Sequence, residues 1–319
     1  MIHLRLVVSA DLSPRVVGLL RDDDATTDVV LVAGAAQQPE GDLVLADVTR
    51  EAASAVIDRL VDLGVPDDGS ISAQEVDTVV SAAADRAEQA APGAPSDAVV
   101  WQELQKRAGS ETRPSVTFCV LMAVACVIGM IGVLTNQPVL VVGAMAVGPD
   151  FGPLAALALG VVRRSREMLL GGLRATVLGY GCGVAGAAVG ALLLRWWGLL
   201  DPADLVAKHA ITDFVYHPGG LSWVVAFLAG VAGAVSLATE RTGALVGVLI
   251  SVTTIPAAGV LGASLAFGVG DEAWGAAVQL AVNVVMIVAG SLTALGVQAL
   301  SQRTGRRGDA PRGAARRAA

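Results

Sequence analysis

Two patterns of hydrophobic and polar positions divide this chain. Over the first ninety residues short apolar runs alternate with polar turns. Beyond residue 114 the apolar runs are long enough to be counted in membrane spans. In the first part "IHLRLVV" (2–8) reads as a strand and "LSPRVVGLLRDD" (12–23) as a short helix, with Ser13 as its cap and Pro14 at the first helical position. "TDVVLVAGA" (27–35) and "DLVLADVT" (42–49) read as strands. "REAASAVIDRLVDLGV" (50–65) places Ala55, Val56, Leu60 and Leu63 at helical spacing, with Gly64 at its exit. "GSISAQEVDTVVS" (69–81) supplies a last strand. The order β-α-β-β-α-β predicts an α+β, ferredoxin-like soluble domain over residues 1–88.

A Pro- and Ala-containing linker, "QAAPGAPSD", follows. "DAVVWQELQKRAGSETRP" then reads as an amphipathic helix, with Trp101, Lys106, Arg107 and Arg113 beside the first span. Residues 89–113 are therefore a linker and juxtamembrane helix. A transmembrane helix needs about 20 apolar residues, and six segments meet that requirement between residues 114 and 300: 115–134, 138–162, 175–197, 221–238, 243–269 and 274–300. Residues 301–319 form a basic, disordered tail. The expected fold is an α-helical membrane protein with six transmembrane helices and a soluble head.

Composition agrees with this division. The chain of 319 residues is 54% hydrophobic and only 16% charged, where soluble domains run near 25% charged. The net charge of −7 is uneven. Residues 1–96 carry 6 Lys+Arg against 17 Asp+Glu, a net of −11, and the remainder is net +4. An acidic head argues against nucleic acid as a partner. Cys119, Cys126 and Cys182 lie in apolar runs, read as small buried hydrophobes, and show no metal-finger spacing. "MIHLRLVV" has no signal-peptide pattern.

Lys and Arg cluster in alternate loops: Lys106, Arg107 and Arg113; Arg163, Arg164 and Arg166; Arg241; and Arg303, Arg306, Arg307, Arg312, Arg316 and Arg317. The positive-inside rule then puts both termini of this multi-pass chain in the cytoplasm. Arg195, near the opposite end, can snorkel from its helix. Membrane lipid, further copies of the chain, and a small ligand or ion are the expected partners. No cofactor is expected.

Spans two and five share an interruption. Span two breaks at "GPDFGP", with Gly148, Pro149, Gly152 and Pro153, and span five breaks at "SVTTIPAAG", with Pro256 and Gly259. Each is the middle span of three. Because three is odd, the second set runs opposite to the first, as expected of a 3+3 inverted repeat whose broken helices meet near the midplane.

These residues also carry a resemblance. "VVGAMAVGPDFGPLAALALG" with its following basic turn, the acidic head and the later Pro-containing span resemble the bacterial domain-of-unknown-function 389 family. The match falls on Gly143, Ala144, Met145, Pro149, Gly152, Pro153 and Pro256. The resemblance implies a membrane location and a head-plus-spans layout, and it implies no activity.

Asp150 sits midway along the 138–162 run, at a depth where a carboxylate costs roughly 3 kcal/mol on insertion scales. Two readings stand beside each other. Pro153 disrupts the turn behind it, so Asp150 can cap the restarting helix and accept hydrogen bonds from its free N–H groups. Alternatively, two breaks at equivalent positions bring freed carbonyls together with Asp150, Ser251, Thr253 and Thr254, an oxygen-rich set suited to a hard cation or a proton. Gln279 and Asn283 of span six are secondary candidates for this path, or else helix–helix hydrogen-bonding pairs.

Other motifs carry less. "GCGVAG" (181–186) matches a dinucleotide pattern but lies inside an apolar span, where Gly179, Gly183, Gly186 and Gly190 suit close helix packing. His209, Asp213 and His217 recur every four residues, a spacing able to hold a divalent metal, though the segment also reads as an interfacial helix. No nucleophile–His–acid set, zinc-protease helix or phosphate loop is present, so an enzyme is not expected. The function expected is transport of a cation or proton. The alternative is a non-transporting scaffold or sensor whose head binds a ligand or partner.

Overall fold

A computed structural model describes residues 1–76, 78–90, 101–110, 112, 114–206, 220–239 and 254–308. The chain divides into two compact units. One comprises Met1–Leu104 with Gly305–Ala319, the other Gln105–Thr304.

The first unit is built on β1 (Ile2–Val8), α1 (Ser13–Arg21), β2 (Thr26–Gln37), β3 (Glu40–Val48), α2 (Arg50–Asp62), the short α3 (Val65–Asp68) and β4 (Ser70–Glu75). The four strands form one sheet in the order β2-β3-β1-β4, with every neighbouring pair antiparallel. The alternation in β3 is that of a half-buried strand: Val44, Ala46 and Val48 are buried while Leu43 and Leu45 are half-buried. Those inward residues join Ile2, Leu4, Leu6 and Val8 of β1, Val16 and Leu20 of α1, and Val56, Ile57 and Leu60 of α2 in one apolar core. Gly64 ends α2 in the left-handed conformation, φ 87°, as read from its place after the last apolar position.

Three local expectations need correction. Residues 301–308, expected in the disordered tail, continue the last helix of the chain to Gly308. Leu12, not Ser13, is the N-cap of α1. Ser13 is already helical, with Pro14 next, and its hydroxyl donates to the Ser9 carbonyl. Trp101 opens a later helix, α5 (Trp101–Ser110), after α4 (Ala82–Ala90). It is buried, and its backbone N–H donates to the Ser54 hydroxyl of α2, so that end of α5 is tied to the first unit rather than serving as an interfacial anchor.

The second unit is helical. It contains α6 (Val116–Leu134), α7 (Pro138–Val147), α8 (Phe151–Val162), α9 (Arg166–Trp196), the short α10 (Pro202–Val206), α11 (Gly220–Thr239), α12 (Thr254–Phe267) and α13 (Gly270–Gly308). Among the described residues, four helices (α6, α9, α11 and α13) are long and apolar enough to cross a membrane. The α7–α8 pair, bent by 58° at its break, passes the same test when taken together, as a broken span or a re-entrant loop, which gives four to five candidate spans. This is the architecture of a membrane-spanning protein, with a smaller α+β unit ahead of it. The second half of the expected fifth span is α12, and its first half lies outside the described residues.

Close packing depends on small residues. A Cβ on Gly183 would lie 2.6 Å from the Cys126 Sγ, and one on Gly186 only 2.5 Å from the Ala123 Cβ. The glycine stripe of α9 is therefore the face that takes α6, as a packing motif should. Helices α11 and α13 cross just as tightly. Cβ atoms on Gly230 and Gly290 would each lie 2.1 Å from a backbone carbonyl oxygen of the other helix, and the Ser291 hydroxyl donates to the Gly230 carbonyl at 3.1 Å.

Candidate functional site

The first break forms where Pro149 and Pro153 disrupt helical hydrogen bonding. Helix α7 stops at Val147, Gly148 is extended (φ −79°, ψ 126°), and α8 restarts at Phe151 with Asp150 at its N-cap. Asp150 forms no capping hydrogen bond to that helix. Its carboxylate instead accepts at Oδ2 from two hydroxyls of other helices. Tyr180 of α9 donates at 3.0 Å, and Thr254, the first described residue of α12, donates to the same oxygen. Asp150 is 4% exposed and Thr254 0%. The capping reading of Asp150 thus gives way to a tertiary role. Charge-assisted hydrogen bonds to a carboxylate are roughly twice as strong as neutral ones, which helps to hold this group away from water.

The first turn of α12, which carries Pro256, lies against the break between α7 and α8. A Cβ on Gly148 would overlap the Ile255 side chain, 1.9 Å from Cδ1, and one on Gly129 of α6 would touch the Pro256 Cα at 3.4 Å. Gly259 packs on the α6 backbone, where a Cβ would sit 2.4 Å from the Cys126 carbonyl oxygen. Helix α12 is thereby cradled between α6 and α9, and its first turn reaches Asp150. Ala125, Cys126, Ala144, Ile255 and Ala258 surround this point with apolar surface.

Of the path residues expected from sequence, the structure brings Asp150 and Thr254 together. Ser251 and Thr253 lie outside the described residues, as do His209, Asp213 and His217. Gln279 and Asn283 are both fully buried on α13 and bonded to each other, Gln279 Nε2 donating to Asn283 Oδ1 at 3.1 Å. The Gln279 Oε1 is buried with no hydrogen-bond partner. Their neighbours Leu280 and Val284 pack against the cluster that holds Tyr180 and Ile255, which places the pair near the break. Among the break residues, Gly148, Pro256 and Gly259 have close neighbours across helices. Gly143 has none within 4 Å, and its place in the motif is not explained by packing. No group of three or more His, Cys, Asp or Glu able to hold a metal ion occurs among the described residues.

Tyr180 is the residue that sequence reasoning missed. Its signal was slight: the chain has only two tyrosines, and this one lies within a glycine-rich span, where the glycines drew the reading towards packing alone.

Comparison with known proteins agrees with the motif. Residues 145–289 match the family described as Domain of unknown function (DUF389). No curated protein and no solved structure matches the chain. Asp150, Tyr180, Thr254, Gln279 and Asn283 all fall within the region that matches the DUF389 family model.

Proposed function

We propose that this protein moves a cation or proton across a membrane through the paired helix breaks, with Asp150 as the charged group of the path. The observation that carries this reading is the hydrogen bond from Thr254 to Asp150, which joins the two breaks at a buried carboxylate. Ionisable residues buried among apolar spans are functional candidates by default. A carboxylate needed only to cap its own helix would accept from that helix's first N–H groups, whereas Asp150 makes no capping hydrogen bond and accepts from hydroxyls of two other helices. The contact of Gly148 with Ile255 supports reading α7–α8 and α12 as equivalent broken spans of an inverted repeat with six spans. The strand order and antiparallel pairing of the first unit support a ferredoxin-like head, cytoplasmic by the positive-inside rule, which gates or assembles the spans in a homo-oligomer.

The test uses purified full-length protein in liposomes on a solid-supported membrane, under proton, sodium, potassium and magnesium gradients. Wild type is expected to give a current with one of these ions, and Asp150→Asn to lose it while melting at a similar temperature. A current unchanged in Asp150→Asn refutes the reading.

A further inference from the structure

We propose that Cys119 of α6 and Cys182 of α9 form a reversible disulfide, with a quinone dissolved in the bilayer as the oxidant. Their opposition follows from the register of the two helices. A Cβ on Gly186 would lie 2.5 Å from the Ala123 Cβ and 2.9 Å from its Cα, and one on Gly190 would lie 3.0 Å from the Val127 side chain. From the first pair to the second each helix advances by four residues in the same direction, so α6 and α9 run parallel along this seam. One turn towards the N-termini, about 6 Å down the axis, the same two rows carry Cys119 and Cys182.

A disulfide spans about 3.5–4.5 Å between Cβ atoms. An ideal Cβ pair at positions 123 and 186 is closer than that, so one turn further on the rows need diverge only slightly to reach it, as crossing helices do. A separate observation agrees: the Cys182 thiol is hydrogen-bonded to that of Cys119. Both are free thiols and half-buried, whereas Cys126 is fully buried with its Sγ against Gly183.

The open side of the seam selects the oxidant. Val120 of α6, Leu178 of α9 and Gly181 beside Cys182 are exposed. On spans of a membrane protein such a face meets lipid hydrocarbon, which charged oxidants such as glutathione disulfide do not enter. A lipid quinone does. Oxidation breaks two S–H bonds and forms one S–S bond, while the quinone accepts two electrons and two protons and leaves as hydroquinone. The bond fixes α6, which flanks α12 at Gly129, to α9 two residues from Tyr180. It thereby holds the spacing of two helices beside Asp150.

The test uses full-length protein in phosphatidylcholine liposomes with or without ubiquinone. After treatment the protein is denatured, labelled with N-ethylmaleimide and weighed intact, which counts its free thiols. Wild type, with three cysteines, is expected to take three labels without the quinone and one with it, on Cys126, and to regain three after dithiothreitol. Cys119→Ser and Cys182→Ser are each expected to keep both remaining thiols through the same treatment. Three labels in quinone-treated wild type overturn the quinone as oxidant, and three labels after copper–phenanthroline as well overturn the pairing. A loss that dithiothreitol does not reverse marks a quinone adduct and overturns the proposal. So does a bond that includes Cys126, or one between two chains, seen as a dimer on a non-reducing gel.

Discussion

Replacing Gly259 by alanine adds one methyl group between α12 and α6. An ideal Cβ there lies 2.4 Å from the Cys126 carbonyl oxygen and 3.0 Å from the Met130 nitrogen. Both obstacles are backbone, so no rotamer change relieves them. Helix α12 must back away by roughly half an ångström or more, and overpacking of this kind costs about 1–3 kcal/mol. Alanine also gains about 1 kcal/mol over glycine in helix propensity, which obscures the cost in a single measurement. Gly143→Ala removes that ambiguity. Gly143 is likewise inside a helix and has nothing within 4 Å of its Cβ position. Comparing the two variants cancels the propensity gain and leaves the packing term. Gly259→Ala is expected to be less stable than Gly143→Ala by about 1–3 kcal/mol in reversible unfolding of the full-length protein in mixed micelles. Because α12 carries Thr254 as well as Gly259, its displacement should also reduce flux. Equal stability of the two variants would show that α12 does not lie against α6 as described, and would remove the cradle that aims Thr254 at Asp150.

Three further outcomes are expected. Gly186→Leu, on the α9 face where a Cβ would already sit 2.5 Å from Ala123, should separate α6 from α9 and lower the melting temperature far more than Gly181→Leu, whose Cβ position is open. In the first unit the Gly34 N–H, 2.8 Å from the Asp42 carboxylate, holds that carboxyl below its ordinary value, against the smaller opposing effect of burial. The contribution is present above the unfolded carboxylate range and lost as pH falls through the lowered value, so Asp42→Asn should remove an acid-dependent loss of hydrogen-exchange protection at the Gly34 amide. Gln279→Met removes an amide whose Oε1 has no partner. It also removes the donor to the buried Asn283 Oδ1, so a stability loss of about 1–3 kcal/mol is expected; if Gln279 is only packed, flux per folded protein is unchanged, whereas a place in the path predicts lower flux.

Much of this architecture was legible because period and length announce it. Strands with inward Val and Leu at every second position, and helices with Val56 and Leu60 a turn apart, fix the soluble unit. The prolines at 149 and 153 fix the break between α7 and α8, and Pro256 lies in the first turn of α12. Ser13 misled because a hydroxyl beside a proline suits both the N-cap and the first turn, and only the backbone distinguishes them. Trp101 misled because an aromatic beside basic residues suits an interface, whereas its N–H found Ser54 on a helix some fifty residues earlier. The partners of Asp150 were only half legible. Thr254 stood beside a break, but Tyr180 is 30 residues away on another helix, and no local pattern records a contact made by tertiary packing. The absence of capping by Asp150 was equally hidden, since the sequence around it is that of a good N-cap.

The most direct test of the central claim asks whether the two breaks form one site. Flux is measured for wild type, Asp150→Asn, Thr254→Val and the double variant in one liposome series, each checked for normal melting. A shared site predicts that Thr254→Val weakens flux in the wild-type background and adds nothing once Asp150 is gone. Losses that multiply independently, or a double variant that still conducts like wild type, would contradict the account.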